Sequence, residues 1–116
     1  MIDEFRRAPR RKVSENVLVT DAMTERVVGR IGNLSETGML LIADASLNDD
    51  ALYQLRFTLR DPAGNESTLE FGAHQLWQED AGAPGLHWIG LRFIAIPDDQ
   101  AERLRHWIHA PGGVFD

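Results

Sequence analysis

ALYQLRFTLR, residues 51–60, alternates apolar and polar side chains from Tyr53 onward. Tyr53, Leu55, Phe57 and Leu59 fall on one face, and Gln54, Arg56, Thr58 and Arg60 on the other. That period of two belongs to a β-strand with one face on a core and the other in water. DPAGN (61–65) comes next. Its proline presets φ, and its glycine and asparagine tolerate φ > 0, so the chain turns back there. ESTLEFGAHQLWQ (66–78) then carries Leu69, Phe71 and Ala73 on one face. Strand, tight turn and strand make a hairpin, and the hairpin sets the class of the domain.

The pattern extends in both directions. DAGAPG (80–85) breaks the chain again, and LHWIGLRFIAI (86–96) puts Ile89, Leu91 and Phe93 on one face of a last strand. Upstream, NVLVT (16–20) and ERVVGRIGNL (25–34) read as strands, and GMLLIA (38–43) as a short strand buried on both faces. Strands this closely spaced point to a small antiparallel barrel or sandwich of six or seven strands. PDDQAERLRHWIHAPGG (97–113) differs in kind. Ala101, Leu104, Trp107 and Ile108 form a stripe at helical spacing, and Pro111 and Gly112 stop it. Asp99 and Glu102 have the spacing of a capping box at the start of this helix.

Composition narrows the function classes. A length of 116 residues, 43% hydrophobic and 26% charged, is that of one globular domain with a core of its own. No cysteine is present, so neither a disulfide framework nor a thiolate metal site is expected. No apolar run reaches membrane-span length and the N-terminal residues lack a signal-peptide core, so the expected location is cytoplasmic, without membrane insertion. A net charge of −6 is unlike a protein that coats nucleic acid.

Against that acidic balance, RRAPRRK (6–12) holds five of the twelve Lys and Arg, leaving seven to face eighteen Asp and Glu. Residues 1–12 read as a flexible basic arm, 13–110 as the barrel and helix, and 111–116 as a tail. Arg6 and Arg10 stand four apart, as do Arg7 and Arg11, and Pro9 disfavours a helix through them. Two guanidinium planes so spaced can surround one compact anion, because arginine forks onto phosphate oxygens and stacks on flat rings. GNLSETGML (32–40) adds directed polar groups. Asn33 and Ser35 share a face if the segment is extended, and Gly38 permits a φ > 0 turn or a close backbone approach.

Arg-x-x-x-Arg ahead of a β-domain, with Asn-x-Ser-x-x-Gly about one hairpin later, resembles the double signature of the PilZ family. The resemblance runs from about Phe5 to His109 and takes in IGLRFIAI and the closing helix. It implies a six-stranded antiparallel β-barrel with a C-terminal helix, and a bacterial receptor for the second messenger cyclic di-GMP. By this resemblance Arg6 and Arg10 stack on guanine and hold the phosphates, and Arg7 adds a phosphate contact. Asn33 and Ser35 hydrogen-bond a guanine edge, and Gly38 shapes the turn. Arg11 and Lys12 stand where the family more often has apolar residues or proline, which leaves the register Arg7 with Arg11 open beside Arg6 with Arg10. Phe5, rather than an arginine, precedes the preferred pair, which favours one ligand per chain.

The other readings are of different classes. His106 and His109 could share a metal with Glu102, but no zinc pattern is completed, and no metal or cofactor is expected. Ser35 lacks a nucleophile elbow, so no enzyme is expected. Trp77, Trp88 and Trp107 read most simply as core or rim residues. One of them, Trp77 for instance, could flank the ligand, and the sequence does not choose. The alternatives are a barrel that binds single-stranded nucleic acid or an acidic protein through its arm, and a PilZ-like interaction domain that no longer binds nucleotide. Nucleic acid would call for aromatics interleaved with the positive charge, and the arm holds only Phe5. The expected output passes through a separate partner protein that the sequence does not name.

Overall fold

A computed structural model describes residues 8–44, 47 and 51–116. Its elements run β1 (Arg11–Lys12), β2 (Leu18–Asp21), β3 (Arg26–Leu34), β4 (Gly38–Ala43), β5 (Leu52–Arg60), β6 (Glu66–Asp80), β7 (His87–Ile94) and α1 (Asp98–Ile108). The sheet order β3-β2-β5-β6-β7-β4 closes on itself through β3–β4 pairing, and every pairing is antiparallel. The result is a six-stranded barrel. β1 is an extra strand that extends the β2 edge of β3, pairing Arg11 with Leu34 and Lys12 with Asn33. The last two residues of the segment read as a basic arm, Arg11 and Lys12, thus lie on the edge of β3. Arg6 and Arg7, with the rest of 1–7, lie outside the described residues.

The alternation read in the sequence is the inward face of the barrel. Leu55, Phe57 and Leu59 on β5, Leu69, Phe71 and Ala73 on β6, and Ile89, Leu91 and Phe93 on β7 are all buried. Phe71 meets Phe57 edge-on at 5.8 Å and Phe93 at 4.7 Å, so the three rings tie three adjacent strands together. β4 departs from its expectation. Met39, Leu41 and Ala43 are buried, but Leu40 and Ile42 are only partly covered, so this strand has an inner and an outer face.

The helix packs Leu104 and Ile108 into the same core. It is pinned to the hairpin by the Trp107 Nε1–H, which donates to the Arg60 carbonyl at 3.0 Å. The Glu70 N–H donates to Gln100 Oε1 at 2.8 Å. The expected capping box does not form. The N-cap is Pro97, which has no side-chain acceptor, and Asp99 lies inside the first turn, paired with Arg103 at 3.4 Å. Asp98 and Asp99 act there through the helix dipole instead, as carboxylates beside the positive end.

Candidate functional site

Strict alternation along β3 would send Asn33 inward with Ile31, and along β6 it would send Trp77 inward with Gln75. Neither happens, because each strand has a β-bulge at that point. Ile31 pairs with Leu41, yet Asn33 pairs with Leu40, with Gly32 taken up between them. Gln75 pairs with Leu91, yet Trp77 pairs with Gly90, with Leu76 taken up. A bulge sets two residues against one and reverses the phase of the strand beyond it. Both side chains are thereby turned to the outer surface.

They are turned out at the same level of the barrel. Cross-strand pairs run without interruption from Lys12 to Asn33, Leu40, Gly90 and Trp77. At ~4.8 Å per strand, Asn33 and Trp77 stand about 14 Å apart across a shelf floored by Leu40. Gly90 is needed for this. A Cβ there would lie 2.3 Å from the Trp77 ring, so only glycine lets the indole lie flat across β7. Trp77 is 45% exposed, which leaves part of the ring open to a stacking partner. Gly90→Ala is expected to lift the indole off the strand. The change should appear in the tryptophan emission, with Trp77→Phe as reference, at a stability cost of about 1 kcal/mol.

The turn at 33–38 forms the other wall. The Ser35 N–H donates to the Gly38 carbonyl at 2.9 Å, and Ser35 Oγ accepts from the N–H groups of Thr37 and Gly38, each at 3.2 Å. Its hydroxyl also lies 3.2 Å from Thr37 Oγ1 and 3.3 Å from the Gly38 carbonyl. Ser35 is 5% exposed and organises the turn itself. Gly38 serves close approach: a Cβ would lie 2.3 Å from the Leu91 carbonyl of β7. Asn33 is 7% exposed, and its Nδ2 donates to the Asp116 carboxylate at 2.8 Å.

Glu36 ties this turn to the helix. Its carboxylate accepts from Arg105 Nε at 3.0 Å and lies 3.2 Å from His109 Nε2. The Arg105 bond, helped by His109, holds the Glu36 carboxyl below its usual range despite partial burial. A lowered carboxyl stabilises the fold most above the ordinary carboxylate range. That contribution fades as the pH falls through the lowered value. His109 thus faces Glu36, and among the described residues no cluster of His, Asp and Glu is placed to hold a metal.

Of the basic residues, Arg10 is exposed and sits one residue beyond the β1–β3 ladder, beside its Leu34 end. Arg11 points elsewhere. Its Nη1 is shared among the carbonyls of Trp107 (3.1 Å), Ile108 (3.2 Å) and Ala110 (2.7 Å), and its guanidinium lies 4.8 Å over the Trp107 ring. Lys12 lies 3.4 Å from the Asp116 carboxylate. The roles of Arg11 and Asp116 leave no mark in the sequence, since their partners are distant along the chain. Trp77 is one of three tryptophans that the sequence leaves open, and its place opposite Gly90 follows from the bulge at Leu76.

Among the described residues, no helix is long and apolar enough to cross a membrane. In overall shape the chain is similar to the Bacillus subtilis inhibitor of motility MotI/DgrA, with a TM-score of 0.70 at 17% identity. The match covers 89% of this chain and 49% of that one, so the chain spans about half the length of that protein. No curated protein matches it in sequence. The PilZ domain model matches residues 4–110, which includes both halves of the signature, the barrel and the helix: the chain belongs to the PilZ domain family.

Proposed function

We propose that the chain is a receptor for cyclic di-GMP that binds its ligand on the outer shelf between the turn at 33–38 and Trp77, and that it is an adaptor without catalytic activity. Arg6 and Arg10 hold the phosphates and stack on guanine, and Arg7 adds a phosphate contact. Asn33 reads a guanine edge, Ser35 and Gly38 keep the turn in shape, and Trp77 offers an aromatic wall on the far side. The observation that carries this reading is the row from Lys12 to Trp77. It sets a basic strand, an amide, an apolar floor and an exposed indole side by side on one face. A ligand with two phosphates and two flat purines matches that order of groups. The engagement of Arg11 by the helix end supports the register Arg6 with Arg10.

Titration calorimetry with cyclic di-GMP, with GMP and GTP as controls, tests the proposal. Saturable binding of the cyclic dinucleotide alone is expected, with a shallow salt dependence because only two phosphates are engaged. Oligonucleotide binding that tightens with length, with no response to cyclic di-GMP, would refute it. Ser35→Ala is expected to weaken binding about tenfold and to cost about 1 kcal/mol of stability, since two turn N–H groups lose their acceptor. Thermal melts and titrations on the same sample separate the two effects.

A further inference from the structure

Residues 114–116 lie antiparallel to β1, on the edge opposite β3. The Lys12 N–H donates to the Val114 carbonyl at 2.7 Å, Arg11 and Phe115 face each other as a bridge pair, and the Asp116 N–H donates to the Arg10 carbonyl at 2.9 Å. This docking carries the Asp116 side chain to the shelf. One carboxylate oxygen accepts from Asn33 Nδ2 at 2.8 Å and the other lies 3.4 Å from Lys12 Nζ. An anion therefore already occupies an amide donor and an ammonium group at the wall of the site.

We propose that the segment 111–116 is a latch: Asp116 takes the place of an anionic ligand at Asn33 and Lys12, and cyclic di-GMP must displace it to bind. The inference rests on the receptor reading above and adds regulation of the same site. The hold is light. Val114 is 61% exposed and Phe115 42%, and neither side chain packs into the core. What remains is two backbone hydrogen bonds, one side-chain hydrogen bond and one solvated ion pair, and such a pair contributes little by itself. Gly112 (φ 89°) and Gly113 come directly after Pro111, which places a pliable joint between helix and latch. Nothing in the barrel has to move for the segment to leave. The ligand competes for the same Asn33 and Lys12 groups with its own phosphates and guanine edges.

A closed latch lowers the apparent affinity by the fraction of molecules that are open. Asp116→Ala removes both contacts of the carboxylate and is expected to bind cyclic di-GMP about threefold to tenfold more tightly than the parent. Asp116→Asn keeps an acceptor for Asn33 but loses the charge facing Lys12, and is expected to fall between. In nitrogen-15 spectra without ligand, Asp116→Ala should shift the Asn33 side-chain amide and the 114–116 amides toward their positions in the ligand-saturated parent. Equal affinities for parent and Asp116→Ala would overturn the latch and leave the receptor intact. Weaker binding by Asp116→Ala would make Asp116 a ligand contact and also overturn the latch. If neither protein binds cyclic di-GMP, the receptor reading falls and takes the latch with it.

Discussion

Alanine in place of Arg6 or Arg10 is expected to weaken cyclic di-GMP binding about 30- to 150-fold each, the equivalent of about 2–3 kcal/mol. Hydrogen bonds to charged groups contribute about 1.5–3 kcal/mol, against about 1 for neutral ones, so the arginines should outweigh Asn33 and Ser35 in affinity. Arg10 gives the cleaner test. It is exposed, and among the described residues no hydrogen bond or ion pair engages its guanidinium. Its backbone carbonyl accepts from Asp116, but alanine keeps that carbonyl. Arg10→Ala should therefore melt at the parent's temperature while losing ligand. Calorimetric titration of the parent and both variants, each shown folded by circular dichroism, checks this. Parent-like affinity in both variants would refute the assignment of the arginine pair.

The parts of the molecule that can be read from the chain are those fixed by local pattern. Leu55, Phe57 and Leu59 alternate because a strand must put every second side chain into the core, and the same rule locates the buried faces of β6 and β7. Asn33, Ser35 and Gly38 are legible because they lie within one turn. The remainder depends on partners that sequence spacing does not supply. A bulge such as that at Gly32 or Leu76 is decided by the register against a neighbouring strand, and a single inserted residue moves Asn33 and Trp77 from the core side to the surface. The Asp99–Glu102 spacing suggests a capping box with Asp99 as N-cap, but the N-cap is Pro97, two residues earlier, and it has no side-chain acceptor. The tail reads as separate from the barrel, although its backbone groups find partners on β1. The Ser35 hydroxyl bonds within its own turn, contacts that its place in the sequence does not specify.

Arg11→Ala is expected to lower stability by about 2–3 kcal/mol, a fall of about 8–15 °C in Tm, while leaving ligand affinity unchanged at temperatures where the variant is folded. The helix ends at His109 with φ −95° and ψ 6°, without the left-handed glycine that commonly satisfies last-turn carbonyls. Arg11 does that work from β1, distant from the helix along the chain. Its guanidinium reaches the carbonyls of Trp107, Ile108 and Ala110, places a positive charge at the negative end of the helix dipole, and stacks on the Trp107 ring. On its removal the Trp107 carbonyl keeps the Ala110 N–H at 3.3 Å, but the Ile108 and Ala110 carbonyls lose the Arg11 donor where Ile108 is anchored in the core, so the loss should propagate to the whole transition. Arg11→Lys restores the charge but not the planar fork, and is expected to recover less than half of the loss. The same position decides between the two arginine registers. If Arg7 and Arg11 formed the ligand pair, Arg11→Ala would lose affinity and Arg10→Ala would keep it. If Arg6 and Arg10 form the pair, the pattern reverses, and Arg11→Ala differs from the parent in its melt alone. Thermal denaturation monitored by circular dichroism, with calorimetric titration at a temperature well below both transitions, reads the two outcomes separately.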